Sequence, residues 1–248
     1  MFSPFVDLPR QPSRVLRLAR LYTSVMRRLM GAILIVYLIG VPAVHATDNR
    51  GGPRRARRPQ VRREPIPYGH KRKREMAAYS KRHYGHARWA LKHVRVIVLH
   101  FTGGNSYSSA RNTFASDTPD RGELPGTCAH FIVGKDGVIH QLVPTTIRCR
   151  HAIGLNYVAV GIEMVQPTGQ GSHWADRQIL ARHPQIKSVL QLVRFLRSKY
   201  HVRMQNVIGH AMANDSPYFK DLEGWRNDHT DWLPQDVRTF RKHLRRIS

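Results

Sequence analysis

The chain is poor in acid. Its 248 residues hold 16 Asp and Glu against 41 Lys and Arg, a formal charge of +25 at pH 7, and so one-sided a balance points to polyanionic surroundings. Cysteine is scarce as well: Cys128 and Cys149 are the only two, so a disulfide-rich scaffold is excluded and one bridge is the most the chain can close. The sequence has no glycine-rich phosphate loop and no internal repeat, which removes P-loop nucleotide enzymes and solenoids from consideration. Its longest apolar run, Leu29 to Val44, has about 16 residues, short of the roughly 20 that a helix needs to span a bilayer.

That run has a context. Residues 26–46, MRRLMGAILIVYLIGVPAVHA, begin with Arg27 and Arg28 and end with Val44 and Ala46 at the spacing of a cleavage site. This is the pattern of an export signal; an uncleaved membrane anchor is the alternative. The 25 residues ahead of it are foreign to such a signal, so Met26 is the expected start and residues 1–46 read as an N-terminal extension and signal peptide. Export would carry the protein to the periplasm or outside the cell, where Cys128 and Cys149 either pair as a disulfide or stay as two buried thiols.

The charge is uneven: +5 over residues 1–47, +13 over 48–95 and +7 over 96–248. The stretch 47–90 opens with Arg, Pro and Gly in quantities too polar and too repulsive to bury a core, which predicts a disordered linker, at least to Arg74. It serves either as a solvated spacer or as an electrostatic attachment to an anionic envelope surface. Nucleic acid, the other polyanion that suits a basic run, ranks last as a partner for an exported protein.

From residue 91 onwards the punctuation is that of one α/β domain. VRVIVL, from Val94 to Leu99, is an apolar, β-branched run that predicts a buried strand. AHFIVGKDGVIHQLV has two apolar runs around Asp136-Gly137, a hairpin signal because the turn needs positive φ. VAVGIEMV (158–165) predicts another buried strand. Ile186, Val189, Leu190, Val193, Leu196 and Tyr200 recur at helical spacing over 185–200, so that segment should pack as an amphipathic helix on a sheet. Pro234 suits the first turn of a last helix with Val237, Phe240, Leu244 and Ile247 inward.

Two of the apolar runs end on histidine, His100 and His210. Each could be a core histidine with both nitrogens bonded, but strand ends are rigid positions from which two imidazoles can share a metal ion. A catalytic zinc takes three protein ligands and keeps a position open for water, and WRNDHTDW downstream offers His229 and Asp231. Glu163, a carboxylate within an apolar strand, is costly unless it is paired or used.

The ordered series IVLHFTGG, AHFIVGKDGVIHQLVP, RHAIGLNYVAVGIEMV, VIGH and HTDW, from about Val94 to Trp232, resembles the zinc-dependent N-acetylmuramoyl-L-alanine amidases. That superfamily includes peptidoglycan recognition proteins and amidase-type phage lysozymes. The resemblance implies a central mixed β-sheet flanked by helices, peptidoglycan or muropeptides as substrate, and hydrolysis of the amide between the lactyl group and L-alanine. The alternative is a receptor that binds muropeptides without cutting them. It also implies Zn²⁺ held by His100, His210 and Asp231, with His229 at the position of the family's catalytic lysine, or with His229 and Asp231 exchanging roles, or with His229 merely a surface residue. Ala129 stands where some members carry a tyrosine, which leaves Glu163 as the catalytic carboxylate. His151 and Asn156 fall in the segment that lines the family's substrate groove, with Arg150 in place of a tryptophan. Thr102, beyond His100, joins them as a substrate-side residue that also shapes the loop. His130 and His140 read as structural, and Trp225 and Trp232 as either sugar-covering or core residues.

Overall fold

The computed structural model describes residues 56–248; the expected signal peptide, Met26 and the start of the basic segment lie outside them. Six strands form one sheet in the order β1-β4-β3-β5-β2-β6. They are β1 (Arg62–Arg63), β2 (Val96–Gly103), β3 (Phe131–Val133), β4 (Ile139–Gln141), β5 (Ala159–Pro167) and β6 (Val207–Gly209). The central trio β5-β2-β6 is parallel, and so is β3 on β5. β3 and β4 form the expected antiparallel hairpin, with Gly137 at φ 83° in its turn. The sheet is therefore mixed, as expected.

Among the described residues five α-helices accompany it: α1 (His70–Tyr84), α2 (Tyr107–Ala115), α3 (Ser172–Ala181), α4 (His183–Tyr200) and α5 (Pro234–Ile247). Strand residues alternate between two environments because successive side chains point to opposite faces. Ile97, Leu99, Val160, Ile162 and Met164 join one cluster with Ile179 of α3, Val189 and Val193 of α4, and Phe240 and Leu244 of α5. Val96, Val98, Ala159 and Ile208 belong to a second cluster with Ala152 and Leu155, from the loop before β5. His100, Glu163 and His210 share the parity of this second set. The functional face is the one roofed by loops, while α3, α4 and α5 back the other.

The basic segment departs from its expected disorder. Arg62 and Arg63 pair with His140 and Gln141, and α1 buries Met76, Tyr79 and Tyr84 while Lys71, Lys73 and Arg74 stay on its outer side. Net charge hides this helix because the apolar residues sit at helical spacing among cations. Arg72, 3% exposed, is neutralised rather than solvated: its guanidinium donates to the carbonyls of Phe114 (2.8 Å), Gly126 and Thr127 (both 3.1 Å), and pairs with Asp117 at 3.0 Å. His83, on the same helix, lies between the carboxylates of Asp221 (2.8 Å) and Glu123 (3.0 Å). Through these contacts α1 ties down two loops that border the functional face.

Cys128 and Cys149 form the disulfide, with Cα atoms 5.4 Å apart. The bridge joins the approach to β3 to the residue just ahead of Arg150 and His151. Among the described residues no helix is long and apolar enough to cross a membrane.

Candidate metal centre and active site

β2 and β5 put His100 and Glu163 side by side, their Cα positions paired across the two strands. β6 delivers His210, and the following segment folds back so that the amide of Ala211 donates to the carbonyl of Asp231 at 2.9 Å. This return needs glycine at 209, because a Cβ there would lie 1.8 Å from the carbonyl oxygen of Trp232. Asn227 braces the loop: its side-chain amide donates to the carbonyls of His210 (2.9 Å) and His229 (3.3 Å). From the opposite side Asp176 of α3, fully buried, accepts the backbone N–H groups of Trp232 (3.1 Å) and Leu233 (2.9 Å). Asp231 is thus clamped by groups on both flanks.

His100, His210 and Asp231 are buried and present ligand atoms all within 4.8 Å of one another. Nδ1 of His210 is 3.1 Å from one carboxylate oxygen of Asp231, and Nδ1 of His100 is 3.4 Å from the other. The proton inventory of the histidines behind them decides what this means. The carbonyl of Ala159 can only accept, so His151, with Nε2 at 3.4 Å from it, carries its hydrogen there. Nδ1 of His151 is then an acceptor, and His100 donates to it through Nε2 at 3.1 Å. His100 is left with a lone pair on Nδ1 facing a carboxylate. Two acceptors facing each other in a buried site repel unless a cation lies between them, so this donor set fits a divalent metal of the zinc type.

The charge states agree. Burial, reinforced by repulsion from His210, lowers the His100 pKa to about 4 and keeps the ring neutral as a ligand must be. Asp231 is a ligand in its charged form, as any carboxylate is. Glu163 differs: burial, with the Asp231 charge second, pushes it well above the ordinary carboxylate value. One of its oxygens, Oε2, is buried with no protein partner. A carboxyl left unpaired beside a metal-type cluster is poised to take and give a proton.

A cavity of about 280 Å³ opens over the cluster, with His100, Glu163, His210, His229 and Asp231 in its lining and Arg121 on its wall. His229 is exposed, stacks on the His210 ring at 4.3 Å between centroids, and has Nδ1 at 3.9 Å from Asp231. Burial and the neighbouring His210 lower its pKa.

Thr102, Arg150, His151 and Asn156, the residues expected to meet substrate, all line this cavity, and their polar atoms also make contacts within the protein. Arg150, 3% exposed, donates through both terminal nitrogens to the carbonyls of Glu123, Pro125 and Asp120 and to the Asp120 carboxylate, at 2.7–2.9 Å. Its charge holds the 120–125 loop in shape. Asn156 accepts from the amides of His151 and Ala152, both at 2.8 Å, and donates to the Tyr84 hydroxyl. His151 spends both nitrogens inside the protein, packed so closely on β5 that a Cβ at Gly161 would come within 2.7 Å of its ring. Thr102 donates to the carbonyl of Gly104 and accepts from Gln166, which shapes the loop. His130 is structural, bonded to Ile147 and Gly161, and Trp232 is a core residue at 0% exposure. Asp176 belongs to no quoted motif and Asn227, Gly161 and Gly209 were given no role in theirs; the two glycines inside apolar strands were the only hint of close approach.

Comparison with known proteins adds the decisive observation: the family model described as N-acetylmuramoyl-L-alanine amidase matches residues 90–231. The chain belongs to this family. The amidase hydrolyses the amide bond between the lactyl group of N-acetylmuramic acid and the L-alanine of the peptidoglycan stem peptide. No curated protein sequence matches it. Among solved structures, the amidase is similar to the endolysin LysCS from Clostridium intestinale URNW, at 18% identity over 77% of this chain and 98% of that one, TM-score 0.47. A mutant endolysin from Bacillus subtilis gives 16% identity over 75% and 98%, TM-score 0.46. AmiD from E. coli, solved with anhydro-N-acetylmuramic acid-L-Ala-D-gamma-Glu-L-Lys, gives 21% over 59% and 57%, TM-score 0.41.

The clamp on Asp231 has a pH signature. Burial, against the two backbone donors, raises the Asp176 pKa from 3.8 to about 7. The folded state then binds this proton more tightly than the unfolded chain, so the contribution is fully present at low pH and is lost as pH rises from about 4 towards 7. Thermal unfolding across that window should show stability falling for the native protein, and the Asp176→Asn variant should lack that part of the slope.

Proposed function

We propose that the amidase is a zinc enzyme in which His100, His210 and Asp231 hold the metal, Glu163 moves the proton and His229 assists at the carbonyl oxygen. The observation that carries this is the meeting of His100, His210 and Asp231, with the His100 lone pair turned to the carboxylate, next to a buried glutamate with an unpartnered oxygen. Zinc bound there would polarise the carbonyl and make a neighbouring water more acidic.

The chain's own groups account for the rest. Glu163 accepts a proton from the water that attacks the lactyl carbonyl carbon, which is why its raised proton affinity is useful. His229 donates a hydrogen bond to the oxygen that gains negative charge, from the open side of the cavity. Glu163 then returns the proton to the L-alanine nitrogen as the C–N bond breaks, releasing a lactyl carboxylate and a free stem peptide. His151 fixes the His100 tautomer, a contribution that in other metal sites amounts to roughly 10–100-fold in affinity. Mass spectrometry of peptidoglycan digested by the zinc-loaded protein tests the assignment. Free stem peptides beginning with L-alanine support it; glycan fragments cut between sugars, with peptides still attached, would refute it.

His229 makes the activity more sensitive to pH than a lysine would. Its lowered pKa means that the imidazolium is lost as pH rises towards neutrality, and above that only a neutral N–H remains to donate. A lysine ammonium persists to about pH 10. The His229→Lys variant should therefore keep its kcat/KM to higher pH than the native enzyme in a profile from pH 5 to 9; a profile that falls earlier would contradict the role.

Export, with residues 26–46 as signal peptide and a periplasmic or extracellular location, agrees with a substrate outside the cytoplasm; an uncleaved anchor is the second reading. The charge of the basic segment 47–90 then favours an anionic envelope surface.

A further inference from the structure

Charge is polarised over the domain. Of the twelve acidic residues in 96–248, eight lie in 117–123 and 215–231, the two loops beside the active-site cavity. In contrast, α4 and the turn after it, residues 183–205, contain no acid, nor do residues 56–63. The cations there, among them Arg58, Arg63, Arg194, Arg197 and Lys199, make no ion pair with a described carboxylate. This face carries uncompensated positive charge.

A second cavity, of about 460 Å³, lies on the same face between α4 and the β1-β4-β3 edge of the sheet, and shares no lining residue with the active site. Its floor is apolar, with Val61 and Phe195 half-buried over Phe131, Leu142, Leu192 and Leu196, Gln141, Thr145 and Thr146 add polar atoms, and Arg58, Arg63 and Lys199 supply its cations. Phe195 is half-buried, and the three cations are exposed. An apolar trough with a cationic rim is complementary to a molecule that is apolar along its length and anionic at one end.

We infer that this groove binds an anionic phospholipid, with acyl chain along Val61 and Phe195 and headgroup phosphate against Arg58, Arg63 and Lys199. Nucleic acid or a phosphate-rich wall polymer would satisfy the cations but leave the apolar walls uncovered, whereas a lipid uses both. The active-site cavity is left free for the glycan while this face meets a membrane. The inference needs neither the zinc assignment nor cleavage of the signal segment.

The test uses the full chain and dihexanoyl phosphatidylglycerol below its micellar concentration, read by thermal unfolding. We expect a rise in Tm with this lipid and none with dihexanoyl phosphatidylcholine, glycerol phosphate or a short DNA duplex. The Arg63→Glu/Lys199→Glu double variant, and separately Phe195→Asn, should weaken binding at least tenfold while amidase activity, as a check on folding, is retained. Lys92→Glu/Arg95→Glu, exposed cations ahead of β2, should bind as the native chain does. Equal response to phosphatidylcholine, to glycerol phosphate or to DNA, or equal loss in the Lys92/Arg95 variant, would overturn the proposal.

Discussion

The Glu163→Gln variant is expected to bind zinc and fold normally yet lose most of its turnover, by about 10²–10⁴-fold in kcat, the range that a positioned general acid–base contributes. Glutamine keeps the shape of the side chain and places an amide where the buried carboxyl stands, but it can neither accept the proton of the attacking water nor return it to the leaving amine. The folding cost should be small or even favourable, because the native carboxyl is buried, has an oxygen without a partner and faces the charge of Asp231. Steady-state kinetics on a purified muropeptide, with KM little changed and kcat lowered, would match the assigned role. Near-native kcat would move the proton transfer to another group.

Replacing His100 by alanine should act at the metal instead. The loss of one of three ligands, together with the imidazole that His151 holds in place at 3.1 Å, should leave the purified protein without stoichiometric zinc and lower activity by at least about 10³-fold, since electrophilic stabilisation of the carbonyl oxygen is itself of that order. Metal analysis separates the two variants: full zinc content in Glu163→Gln and depleted zinc in His100→Ala. The reverse pattern would exchange their roles. The His100→Ala chain should still fold, because the strand is held by Val96, Ile97, Val98 and Leu99, all at 0% exposure.

The strands, the hairpin and the two main helices were legible because burial imposes periodicity: β2 is apolar on both faces and α4 on one. His100 and His210 were legible because each closes such a run, and parity then fixes the face on which both emerge. Asp231 and His229 were legible as candidate ligands downstream of His210, and likeness in motif order assigned their separate roles. The supporting residues were not legible, since Asp176 gains its role only when α3 is packed against Trp232 and Leu233. Arg150, Asn156 and His151 sit in the right segment, yet their polar atoms are consumed by loop carbonyls, backbone amides and a neighbouring imidazole. α1 was masked by charge; only its Met76, Tyr79, Tyr84 spacing reveals an inner side. In each case sequence showed which side chains could do chemistry, and tertiary approach decided which were free to do it.

Titration of the metal-free protein with zinc, following release of stem peptide from a defined muropeptide, tests the central assignment most directly. Activity should rise from near zero in proportion to added zinc and level off at one equivalent, with no rise for His100→Ala. Full activity before any metal is added, or a rise that continues without a break past several equivalents, would contradict a single centre built from His100, His210 and Asp231.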